Sequence, residues 1–271
     1  MELARLWHPR IRIEMTTITV SQSVSHEVKS NEQHSLGKFL TLHLLPGAAG
    51  TLAYIILAPI FIQNRYPAIL ALLVAVATVI LPIELGILFY QARKTSGTLS
   101  LKELLPYRNP LPKWQYVVIP LGLILWGFLA TFFTSILDNA IAEAWFAWSL
   151  EWFFFFDLSQ YEGYARPTLI LTFYVYLIVN GVAMPFVEEL YFRGYLLPRL
   201  ERFGKWAPVI NLSLFSLYHF WTPWGTISRI LWLLPWVYVA WRKRNIYLIM
   251  ITHITANVIG TLLTWGLILS Q

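Results

Sequence analysis

Residues 169–197 read LILTFYVYLIVNGVAMPFVEELYFRGYLL. Up to Pro185 the run is apolar or aromatic apart from Thr172 and Asn180, and it has the length and character of a membrane-spanning helix. The remainder sets Glu188, Glu189 and Arg193 among Phe, Val, Leu and Tyr. A charged side chain at the centre of a spanning helix costs about 2.5–3.5 kcal/mol on insertion scales, so such groups face one another or a cavity and carry function by default.

The whole chain agrees with a membrane setting. Of its 271 residues, 57% are hydrophobic and 13% charged, against roughly 25% charged in a soluble domain. Mean hydropathy is +0.58. The expected fold class is all-α, a polytopic transmembrane bundle of about seven or eight helices. There is no cysteine, which removes disulfides, thiolate ligands and a cysteine nucleophile. The formal charge is +6, but the basic residues fall mostly near the ends of apolar segments, where they set topology and meet anionic headgroups. No nucleic-acid motif is present, and the expected surroundings are a lipid bilayer.

Two units are expected: a polar, cytoplasmic N-terminal tail over residues 1–35, and a single transmembrane helical domain over 36–271. Apolar windows predict spans at roughly 40–63, 67–91, 115–137, 167–190, 207–222, 227–241 and 245–269, with a tight turn at WTPWG, 221–225. The aromatic stretch 141–156 reads as an eighth helix, lying in the interface or entering the membrane in part. Basic residues gather in loops 92–114, 191–206 and 242–244, whereas 138–166 is acidic. Seven spans put the three basic loops on one side with the N-terminus. The positive-inside rule makes that side the cytoplasm, in a multi-pass protein of a cell inner membrane.

Four stretches place polar groups within apolar segments. In EELYFR (188–193), Glu189 and Arg193 are spaced i, i+4 and share a helix face, while Glu188 is rotated by about 100° and points elsewhere. FSLYH (215–219) sets His219 one turn past Phe215. HITAN (253–257) puts His253 and Asn257 on one face, and Asn180 and Asn211 stand alone in their segments. Each has a structural reading too: an ion pair for Glu189–Arg193, interhelical hydrogen bonds for single histidines and for the two asparagines. The tail sequence HEVKS (26–30) resembles the start of HExxH, but ends in Ser within a polar segment and is rejected.

A glutamate, two histidines and an asparagine can activate water in two ways. Glu188, His219 and His253 could ligate a divalent metal such as zinc, whose bound water becomes acidic. Alternatively, Glu188 assisted by His219 takes a proton from water directly, while His253 and Asn257 donate to the oxyanion. Both versions hydrolyse an amide.

The order EExxxR, FxxxH, HxxxN, each on its own apolar segment, resembles the CAAX protease and bacteriocin-processing family, also called Abi proteins. The likeness spans residues 167–270. It implies an intramembrane endopeptidase with a catalytic cavity, acting on a peptide or membrane-anchored protein: a prenylated CAAX-type tail, or a leader peptide. It also implies Glu188 as the catalytic glutamate, Glu189 and Arg193 as its supporting pair, and His219, His253 and Asn257 as the remaining site residues. Two other classes compete. One is a non-catalytic scaffold or bacteriocin self-immunity protein, against which the intact motif set counts. The other is an ion-coupled transporter, against which the lack of visible repeat symmetry counts.

Overall fold

Ser35 opens the first helix by accepting the backbone N–H of Lys38 on its Oγ, the capping bond a serine supplies before an apolar run. The structure is a computed structural model and describes residues 33–149, 151–155 and 157–270. The greater part of the expected tail, residues 1–32 with HEVKS, lies outside them. The described helices are α1 (Leu36–Gln63), α2 (Ala68–Ser96), α3 (Gln115–Phe146), α4 (166–196), α5 (Ala207–Tyr218), α6 (Thr226–Lys243) and α7 (Ile246–Ser270). No strand occurs among the described residues beyond an isolated bridge between Arg108 and Asn245. The fold is an all-α polytopic bundle.

Five stretches are long and apolar enough to cross a membrane: α1, α2, α3, the helical run Arg166–Tyr218 and α7. The run from α4 to α5 continues through 3-10 turns, Leu197–Trp206, and breaks direction at Gly204, whose φ of 52° favours glycine. At 12 residues, α5 is about 18 Å long, roughly half a bilayer. The expected turn at 221–225 joins α5 to α6.

Two expectations are corrected. Residues 141–156 form no separate helix: 141–146 prolong α3 to 32 residues, and Glu151–Phe153 is a single 3-10 turn. Residues 191–206 are helical rather than a loop, and both Arg193 and Arg199 are buried there. Arg193 is therefore not a topology-setting surface cation.

Glycines bring α1 against the elements that carry the site. A Cβ at Gly47 would stand 2.0 Å from the Tyr218 carbonyl oxygen, and one at Gly50 would stand 2.3 Å from Ile80 Cγ1. α1 thus lies directly on the end of α5 and on α2. Elsewhere α3 packs on α6 and α7, and α7 packs on α4. Side chains such as Phe132 and Ile136 on α3 and Leu263 on α7 remain exposed, as a lipid-facing surface requires.

The basic segments meet at one end. Glu201 pairs with Arg244 at 3.1 Å and accepts the Tyr107 hydroxyl at 3.3 Å. Asn245 donates to the Asn109 carbonyl, and Tyr238 donates to that of Lys205. Loop 97–114, the 3-10 turns and the 242–245 turn are tied together there. The start of α1 lies at the same end, since His34 Nε2 is 3.3 Å from the Tyr195 hydroxyl.

Candidate active site

α4 is not a uniform α-helix. Leu177–Ala183 and Glu189–Leu196 are π-helical, with an α-helical turn Met184–Glu188 between them. Pro185 gives a reason for the first segment: it has no N–H to donate, and its ring crowds the carbonyl of residue 181, so the helix opens ahead of it. Widened turns of this kind frequently mark functional sites. Here they bracket Glu188.

Glu188 is 2% exposed and its Oε1 has no hydrogen-bond partner in the protein. Each of its oxygens faces an imidazole: Oε1 is 3.8 Å from His219 Nε2, and Oε2 is 3.9 Å from His253 Nε2. Separations of this size exceed a direct hydrogen bond and suit a shared water.

Both rings are anchored through their other nitrogen. His219 sits where α5 ends, and its Nδ1 lies 2.8 Å from the Phe215 carbonyl oxygen. A carbonyl only accepts, so Nδ1 carries the hydrogen, and in the neutral ring Nε2 presents its lone pair towards Glu188. His253 Nδ1 lies 2.9 Å from Glu189 Oε1. On the indole side, the Trp236 ring meets His253 edge to face at 6.0 Å.

Glu189 and Arg193 approach to 3.5 Å, as their i, i+4 spacing predicts. The contact is longer than a strong charge-assisted bond, and Arg193 Nε and Nη1 lack hydrogen-bond partners. Much of the guanidinium is covered instead by Phe215, whose ring centre is 4.0 Å from Cζ. This gives Phe215 two tasks, a ring under Arg193 and a carbonyl for His219. It also corrects the simple pairing: Glu189 is shared between Arg193 and His253, rather than held by Arg193 alone.

Asn257 donates one amide hydrogen to the Asn180 carbonyl at 2.9 Å, an oxygen in the first π-helical segment. Its second amide hydrogen remains available, and Asn257 lines the same cavity as Glu188, His219 and His253. Asn211 is an interhelical strut, donating to His43 Nε2 and to the Phe192 carbonyl, both at 3.1 Å. The cavity measures about 490 Å³, and Leu72, Val76, Trp232 and Trp236 form part of its apolar wall. Among the described residues, no group of three or more His, Asp or Glu side chains is set to hold a metal ion.

Sequence reasoning passed over Glu84 and Arg229. Glu84, in PIELG on α2, is 0% exposed and accepts the Tyr218 hydroxyl at 2.9 Å. An ionisable residue in an apolar span was its signal, weakened by the absence of a local partner. Arg229 lines the cavity from α6 and Asp138 from α3, where Asp138 accepts from the Ser228 hydroxyl.

The fold and this cluster define a multi-pass membrane protein with carboxylate and imidazole groups gathered inside its helical bundle. Residues 170–259, about a third of the chain and the stretch bearing all three motifs, match the family described as type II CAAX prenyl endopeptidase Rce1-like. The match is to the family that the motif order resembles, over that stretch alone. At that level the relationship is to membrane-embedded proteases. No curated protein and no solved structure matches the chain.

Proposed function

We propose that the protein is an intramembrane endopeptidase in which Glu188 activates water. The observation that carries this reading is the Glu188 carboxylate, buried in a cavity, with each oxygen opposite an anchored imidazole at 3.8 and 3.9 Å.

A water between Glu188 and His219 is within hydrogen-bond reach of both. Glu188 takes its proton, with His219 Nε2 as second acceptor, while the water oxygen adds to the scissile carbonyl carbon. Negative charge gathers on the carbonyl oxygen. The free N–H of Asn257 donates to it, and His253 does so through Nε2 when its ring carries both protons, with Glu189 as counter-charge. The proton held by Glu188 then passes to the leaving amine as the C–N bond breaks. Arg193 and Phe215 keep Glu189, and through it His253, in place.

Substrates of this site are peptides tethered to the membrane: prenylated CAAX-type tails or leader peptides. The apolar wall accepts the lipid or apolar part. In this reading the tied basic end of the bundle faces the cytoplasm, with the N-terminal tail, in a cell inner membrane. The peptidase core is residues 167–270.

The test is a cleavage assay in nanodiscs with the unaltered protein and Glu188→Gln. Each is offered a prenylated CAAX peptide and a panel of membrane peptides, with and without a strong chelator. Cleavage by the unaltered protein alone supports the reading. Loss of that cleavage under chelator would assign Glu188, His219 and His253 to a metal such as zinc instead of to a bare water. Equal turnover by Glu188→Gln would overturn the role of Glu188.

A further inference from the structure

The long helices line the cavity on one side of Glu188. On α4 the lining runs from Glu188 back to Tyr176, and on α7 from His253 on to Thr264. On α3 it runs from Ile124 on to Asp138, and on α6 from Trp236 back to Ser228. The basic end of the bundle holds the starts of α3 and α7 and the ends of α4 and α6. Ile124, Glu188, Trp236 and His253 therefore share one depth, roughly 11–14 Å from that end at 1.5 Å per residue. From there the cavity leads away from the basic end, for roughly 12 Å along α6 and 21 Å along α3. Among the described residues, these four helices line it nowhere on the basic side of that depth.

Burial follows the same direction. Towards the basic end the way is packed: Tyr191, Phe192, Tyr195 and Leu196 follow Glu188 on α4, and each is at most 1% exposed. Away from it the lining opens, and Thr131 on α3 and Thr264 on α7 are exposed. The acidic segment lies at this far end. The Tyr161 ring meets Trp265 of α7 edge to face at 5.3 Å, and Glu151, Asp157 and Glu162 around it are exposed. The lysines and arginines of the other end hold that end in the cytoplasm. The carboxylate thus stands on a floor that closes towards the cytoplasm, below a cavity that opens to the opposite face.

We propose that the site takes its substrate from the non-cytoplasmic side, as a peptide segment that has been exported or that stands in the outer leaflet. This rests on the peptidase reading for the identity of the ligand. It narrows that reading to leader peptides and exported segments, because a lipidated tail that stays in the cytoplasm meets the packed floor instead of the cavity.

The test reads access apart from turnover. The chain has no cysteine, so single thiols can be placed in an otherwise unaltered protein. Thr131→Cys and Thr264→Cys put one in the outer part of the cavity, and Lys102→Cys marks the basic end. A charged maleimide that cannot the bilayer pass reports which face supplies water to each position, since the thiolate is the reacting form. Sealed right-side-out and inverted vesicles are labelled in parallel. Both cavity thiols are expected to label in right-side-out vesicles and to lose most of that label in inverted ones, with Lys102→Cys reversed. Cavity label in inverted vesicles alone overturns the proposal. So does label of Lys102→Cys in right-side-out vesicles alone, or no cavity label from either face. The same vesicles carry the substrate arm: a membrane-anchored leader peptide is expected to be cut faster when offered to right-side-out vesicles, and equal or reversed rates overturn the assignment of the substrate. If the cavity thiols label from outside and no peptide is cut from either face, the peptidase reading fails and the route of access stands.

Discussion

His253 Nδ1 lies 2.9 Å from Glu189 Oε1, joining the first sequence motif to the third across α4 and α7. The second glutamate of the pair thereby becomes the orienting partner of a histidine, and the first is left to face both imidazoles. Neighbours in sequence have divided their work because a helix turns by about 100° per residue.

Glu188→Gln, His219→Ala and His253→Ala are each expected to lower cleavage by at least the 10²–10⁴-fold typical of a lost general acid–base group, with little change in helicity. Turnover assays paired with circular dichroism check this. Any one of the three that retains full turnover leaves the mechanism.

Glu189→Ala is expected to act on stability as well as on rate. It removes the carboxylate beside Arg193, which is 1% exposed and cannot turn to water. Stranding a buried charge costs about 3–5 kcal/mol. Unfolding in detergent should show a loss of that order, and a substitution without effect would mean that Phe215 alone suffices for Arg193.

Asn257→Ala is expected to cost about 2.7–4 kcal/mol of transition-state stabilisation if its free amide hydrogen meets the oxyanion. The loss should fall on kcat more than on KM. A pure KM effect would reassign Asn257 to holding the Asn180 carbonyl.

Gly47→Ala is expected to push α1 away from the end of α5, because the added carbon would meet the Tyr218 carbonyl at 2.0 Å. Overpacking of this kind costs about 1–3 kcal/mol. His219 follows Tyr218 directly, so activity should fall along with melting temperature. Gly86→Ala, with nothing within 4 Å of the new carbon, is the control. Alanine is the better helix former, so Gly86→Ala should lose nothing, and an equal loss in both would show that the Tyr218 contact is not the cause.

The sequence made the membrane bundle and the members of the cluster legible for different reasons. Long apolar windows announce spans directly, and the ionisable groups of EELYFR, FSLYH and HITAN stand out against them. The geometry between the motifs was not legible, because Glu189 and His253 are 64 residues apart and meet only through packing. The π-helical turns were hidden as well, since apolar runs look alike whether they wind at 3.6 residues per turn or more widely. Arg193 and Arg199 looked like loop cations because a run of charges beside Pro198 and Gly204 resembles a connection. The chain instead stays helical there and buries both. Residues 141–156 failed for the opposite reason: their aromatic density suggested a new element where α3 simply runs on.

The two widened turns of α4 have a consequence for how this site tolerates change in chain length. A π-helical segment holds one residue more than the α-helical path it replaces. Deleting a residue within Leu177–Ala183 would let that stretch close to an α-helix while the ends stay nearly in place. Deleting one from Met184–Glu188 has no such slack to consume, and would swing all that follows by about 100°. The helix thus carries its tolerance for lost residues on either side of the turn Met184–Glu188 and none within it.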